Sequence, residues 1–177
     1  MDAGAETGNA IEVLDQGRRV AFTFEDMVRY HGRGSPGGVA HAFKVLERAV
    51  PLLEPGGPPE RRGIIIRTPF GGPGARDGFE LVTRAVSEDR YRVDPELARP
   101  ERGRALERFV FVLSYLDSSV TLVLREGYVS DEFISLARKE QPGPEDDRRL
   151  ALLKDQMADL VMSKPPEEVY DAEGPGL

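Results

Sequence analysis

The sequence predicts an α+β fold in which helices pack on a mixed or antiparallel sheet. Three observations carry this. Apolar residues between 39 and 50 recur at spacings of three and four, the pattern of a helix with one buried face. Residues 108 to 115 and 120 to 125 are β-rich and flank Leu116-Asp117-Ser118-Ser119, a hairpin signal. The order of elements, helices then strand, helix, hairpin and helices, departs from strict βαβ alternation. At 177 residues the chain makes one domain, long enough to close a core without staples.

Each element has its own local reason. Residues 1 to 20, with Gly4, Gly8 and several acids, read as a frayed N-terminus, with order beginning near Phe22. Thr23 caps a short helix whose first turn carries Glu25 and Asp26, the charge sign the helix dipole favours, and Gly32 marks its end. His31 therefore falls at a helix C-terminus. Ser35 as N-cap and Pro36 at the first helical position start a second helix, with Val39, Ala42, Phe43, Leu46, Ala49 and Val50 inward, and Pro51 ends or kinks it. Ile64, Ile65 and Ile66 form a short β-branched run, which predicts a strand covered on both faces. Residues 71 to 74 lead into a third helix over about 75 to 86, and 91 to 93 predict a short strand. Ser130 caps a helix reaching about Arg138, and a further helix runs to about Ser163 with Leu150, Leu153, Met157, Leu160 and Val161 inward. Residues 21 to 171 thus form the domain, with 139 to 171 as its C-terminal helical region and 172 to 177 as a flexible tail.

Composition excludes several function classes. Without cysteine there is no disulfide, thiolate metal site, cysteine nucleophile or dithiol redox cycle. The net charge of −7 belongs to the two ends: residues 21 to 138 hold 17 bases and 17 acids. No stretch supplies the basic face that a nucleic-acid reader needs. No apolar run approaches the roughly 20 residues of a spanning helix, and the first 20 residues do not form a signal peptide. The expectation is a cytoplasmic protein without nucleic-acid or membrane partners.

Two glycine-rich segments are the candidate sites. In His31-Gly32-Arg33-Gly34-Ser35-Pro36-Gly37-Gly38 the glycines, Gly37 included, let backbone approach a ligand, and the helix that follows presents unpaired amides at the positive end of its dipole. A carboxylate or phosphate suits such a place. Arg33 adds a charged fork, and Ser35 either caps the helix or touches the ligand. The plainer reading is a tight helix–helix connection that needs glycine for geometry. The second segment, Thr68 to Gly78, runs from strand through Gly71-Gly72-Pro73-Gly74 to a helix start, yet matches neither the P-loop nor the dinucleotide fingerprint. Of the two histidines, His31 beside the first loop is a candidate general acid or base. His41, inside the second helix, reads as structural.

These segments resemble a known family. Tyr30-His31-Gly32, then Ser35-Pro36-Gly37 and a helix, is similar to the His-Gly-His-x-Cys-Pro-Gly motif of the FmdE-like family, which takes its name from a component of formylmethanofuran dehydrogenase. Residues 74 to 83 are similar to that family's Cys-x-x-Asp followed by an apolar helix and Thr-Gly, and Met162 to Tyr170 to its closing Pro-Pro-Glu-Glu-Leu-Phe segment. The resemblance spans about residues 22 to 171. It implies an α+β fold, a homodimer, and a metal held by the His and Cys of the two loops. His31, Gly32, Pro36, Gly37, Asp77 and Thr83 match the motifs; Arg33 replaces the second His, Ser35 the first Cys and Gly74 the second Cys. The thiolates are gone, and Arg33 repels a divalent ion.

The resulting expectation is a metal-free relative that binds a small anionic molecule between the two glycine loops, with no metal cofactor. Arg33, Ser35, Gly37, Arg76 and the helix amides hold the anion, and His31 and Asp77 supply acid/base chemistry if there is turnover. Two alternatives stand beside it: a metal-handling accessory protein using His31, His41 and Asp77, and an interaction module docking through its acidic C-terminal region.

Overall fold

The computed structural model describes residues 9 to 174. Two sheets and six helices make up its regular structure. A hairpin of β1 (Ala10–Asp15) and β2 (Arg18–Thr23) comes first, followed by α1 (Phe24–His31) and α2 (Pro36–Leu53). The chain continues through β3 (Ile65–Thr68), α3 (Pro73–Thr83), β4 (Tyr91–Val93), β5 (Val110–Tyr115) and β6 (Ser118–Leu124). It closes with α4 (Asp131–Ala137), α5 (Pro144–Met162), α6 (Pro166–Val169) and β7 (Tyr170–Glu173). The larger sheet has the order β4-β3-β5-β6-β7, with only β3 and β4 parallel, so this is an α+β fold with helices on a mixed sheet.

The local signals set most of these boundaries. Thr23 caps α1 with a reciprocal box: its hydroxyl accepts from the Asp26 amide at 3.2 Å, and the Asp26 carboxylate accepts from the Thr23 amide at 2.8 Å. That amide bond is the main reason the Asp26 carboxyl titrates below its ordinary range. Ser130 caps α4 through its hydroxyl, and Ser35 occupies the N-cap position of α2 without making a side-chain cap bond.

α2 is buried all round, not along one stripe. Every residue from Val39 to Leu46 is buried, because α1 and α3, α5, the hairpin and the five-stranded sheet all pack on it. Lys44 tolerates this by donating to Glu47 at 2.9 Å. Pro51 falls in the last turn, where it forgoes the amide bond to the Glu47 carbonyl without ending the helix, and α2 runs two residues past it.

The N-terminus departs from expectation. Residues 1 to 8 lie outside the described residues, but residues 10 to 20 are strand and turn rather than frayed chain. Ile11 and Val13 alternate inward, and Gln16 and Gly17 both take positive φ, 53° and 79°, as a two-residue hairpin turn requires. Side-chain anchors hold the hairpin in place. Glu60 accepts from the Gln16 and Gly17 amides, Leu14 donates to the Pro59 carbonyl, and Asp15 pairs with Arg61 at 3.3 Å. The Arg61 guanidinium also faces the Phe22 ring and donates to the carbonyls of Leu81 and Val82 near the end of α3.

Three further expectations are corrected. The isoleucine strand is covered on one face only: Ile64 and Ile66 are buried while Ile65 is 45% exposed, because the helices pack on a single side of the sheet. Leu160, expected inward, is 40% exposed; Leu153, Met157 and Val161 carry the contact of α5. Residues 172 and 173, expected in a flexible tail, instead extend β7 along β6, and the Glu173 carboxylate accepts from both terminal nitrogens of Arg99; residues 175 to 177 lie outside the described residues. Among the described residues, no helix is long and apolar enough to cross a membrane.

Candidate functional site

The two glycine loops meet directly. A Cβ built on Gly74 would stand 2.5 Å from the Ser35 carbonyl oxygen, and one on Gly38 would stand 3.1 Å from the Ala75 nitrogen. The N-termini of α2 and α3 are therefore pressed together backbone to backbone, and a side chain at Gly74 has no room. The space expected between the loops is filled by this contact. An open cavity lies beside it instead, bounded by the loops on one side and by α4 and α5 on the other.

This cavity measures about 390 Å³. Ser35, Gly38 and residues 71 to 74 bring the starts of α2 and α3 to its wall. Neither helix has a side-chain cap, so the first-turn amides add their partial positive charge there. Arg108, Arg138 and Lys154 line the remainder together with Phe70, Phe109, Phe133, Ile134 and Leu150. Arg138 pairs at 3.0 Å with Glu107, which does not line the cavity, and Lys154 donates to the Gly34 carbonyl at 3.2 Å, tying α5 to the first glycine loop. The lining thus holds three cations and no carboxylate, against walls that are mostly apolar.

The expected site residues divide between this cavity and other places. Ser35 lines it. Gly37 packs against α5, where a Cβ would stand 2.9 Å from the Met157 sulfur, so its missing side chain serves helix packing. Arg33 and Arg76 are exposed and are not among the lining residues. His31 and Asp77 do come together, with Nδ1 to Oδ2 at 2.7 Å, joining the C-terminus of α1 to α3. Asp77 lies a full turn inside α3 rather than in its first turn, because the helix begins at Pro73. The pair does not line the cavity either. It is placed to clamp two helices.

His41 is fully buried, with Nδ1 against the Tyr170 hydroxyl at 2.8 Å and Nε2 without a partner. Burial pushes its pKa down to about 3, so the ring is neutral. It is not available to share a ligand set with His31 and Asp77. Among the described residues no cluster of three or more such groups is arranged to hold a metal ion. With no thiolate and no space for a side chain at Gly74, the residues present do not fit the metal that the resemblance implies.

Arg108, Arg138, Lys154, Phe109 and Phe133 escaped the sequence reading, and Phe70 entered it only as part of the Thr68 to Gly78 segment. One signal pointed to Lys154: it stands four residues after Leu150, on the inward stripe of α5. The others lie between positions 70 and 138, in segments brought together only by the tertiary fold. No family model matches this chain, and no curated protein matches it.

Proposed function

We propose that this chain binds a small organic anion in the cavity beside the two glycine loops. The observation that carries the reading is the convergence of Arg108, Arg138, Lys154 and two uncapped helix starts on one largely apolar cavity without a lining carboxylate. Helix N-termini and guanidinium forks both recognise carboxylate and phosphate groups. An apolar lining with a few convergent polar groups is the usual composition of a small-molecule site. The motif resemblance supports a descendant of a metal-binding framework whose ligand positions are now Arg33, Ser35 and Gly74. The reading is of binding, because His31 and Asp77, the expected acid/base pair, do not line the cavity. A second copy of the chain belongs to the same proposal, on the resemblance alone, and light scattering reads it.

Titration calorimetry on the full chain at low salt, with a panel of small carboxylates and phosphates, tests the reading. Replacing Arg108 and Lys154 with Gln should weaken the bound members by roughly tenfold or more, the worth of one charge-assisted hydrogen bond. Equal affinity in the double variant, or no binding by any member, would overturn it.

A further inference from the structure

The chemistry of the cavity wall narrows the class of anion. Three of its apolar side chains are phenylalanines, and two of them form a fixed corner. The Phe70 and Phe109 ring centroids are 4.7 Å apart with planes inclined at 39°. Phe109 is only 2% exposed and is backed by the His41 ring at 4.9 Å, itself held by Tyr170, so it braces Phe70 from the core side and the floor cannot drop. Phe70 lies over Gly72, where a Cβ would stand 2.5 Å from the ring, so that glycine leaves the ring its place. Phe133 of α4 stands among the remaining wall residues, half-buried.

Resting on the anion-binding reading, we propose that the occupant is a compact aromatic anion, one ring bearing a carboxylate or phosphate. Its ring packs against Phe70, which Phe109 braces from behind, and its charge faces Arg108, Arg138 and Lys154. Aromatic rings gain beyond area burial when their centroids stand 4.5–7 Å apart in offset or edge-to-face geometry, and a preset corner offers that without reordering. Guanidinium planes stack on aromatic faces as well as pairing with anions. The volume of about 390 Å³ is near the low end for small-molecule sites, which favours a single ring over a dinucleotide.

Calorimetric titration of the full chain with benzoate, phenyl phosphate, cyclohexanecarboxylate and inorganic phosphate separates the possibilities. Benzoate should bind about five- to tenfold more tightly than cyclohexanecarboxylate, the increment expected of ring–ring contact. Phenyl phosphate should exceed inorganic phosphate, and whichever aryl ligand is stronger identifies the head group. Phe70→Leu, at a half-buried position, should abolish the preference while the melting temperature confirms folding; Phe133→Leu gives a second reading. Equal affinity of the aromatic and saturated acids overturns the aromatic class and leaves the anion reading intact. Failure of all four to bind overturns both.

Discussion

The two ends of α2 each border a cavity of similar size and opposite character. At the C-terminal end, about 430 Å³ lies against the N-terminal hairpin, lined by Glu12, Arg19, Glu47 and Glu54. At the N-terminal end, about 390 Å³ is lined by three cations. The larger cavity has its charges answered within the protein: Glu12 accepts from Arg19, Glu47 from Lys44 and Asn9, and Glu54 from the Gly56 amide. In the smaller one Arg138 is answered by Glu107 and Lys154 by the Gly34 carbonyl, while Arg108 forms no ion pair among the described residues and no carboxylate lines the wall. Volume therefore does not separate the two cavities; the sign of the charges on their walls does.

The comparison can be broken most forcefully at the glycine contact. Gly74→Ala should cost ~3 kcal/mol, since the new Cβ meets backbone rather than a flexible side chain, and urea denaturation measures it. A cost below ~0.5 kcal/mol would mean the two helix starts can separate freely.

A third of the way along α2, His41 predicts a pH effect. Its folded pKa of about 3 lies below the unfolded value near 6.5, so the unfolded chain binds the proton first as pH falls. Stability is full above 6.5 and should decline by about 1.4 kcal/mol per pH unit from there towards 3. Denaturation midpoints across that range, compared with His41→Phe combined with Tyr170→Phe, isolate this share; equal slopes would refute it.

At the ligand level, Arg108→Gln should weaken anion binding by several-fold while Glu47→Gln at the opposite cavity leaves it unchanged. Matching losses in both would erase the distinction between the two cavities. The smallest effect is expected from Arg19→Ala. Its bond to Glu12 is 3.2 Å long but both partners are more than half exposed, so melting curves should move by less than the equivalent of ~0.5 kcal/mol.

How legible each region was follows from the range of its interactions. The Thr23 cap, the Ser35-Pro36 start of α2 and the β5–β6 hairpin are written in neighbouring residues, and the structure has all three, although the hairpin turns on Leu116-Asp117 alone, with Ser118 and Ser119 already in β6. The first hairpin was obscured because its turn is Gln16-Gly17 rather than Asn-Gly, and because its anchors, Glu60 and Arg61, lie over forty positions away. The strand β7 was hidden for a related reason: four residues gain strand character only from β6 beside them. For the candidate site, the glycine loops were visible and so were His31 and Asp77 as possible partners. Their separation from the cavity was not, because local sequence says nothing of which side of a helix start α4 and α5 will cover.

The bond between His41 and Tyr170 joins positions 129 apart, and both rings are fully buried. Contacts of that sequence separation close the largest loops in the chain and carry the highest entropy of closure. The cover over His41 in α2 thus depends on β7, the last element among the described residues. Removing residues 170 to 177 should leave a chain able to form its helices but not to seal them, with the floor of the cavity exposed from behind.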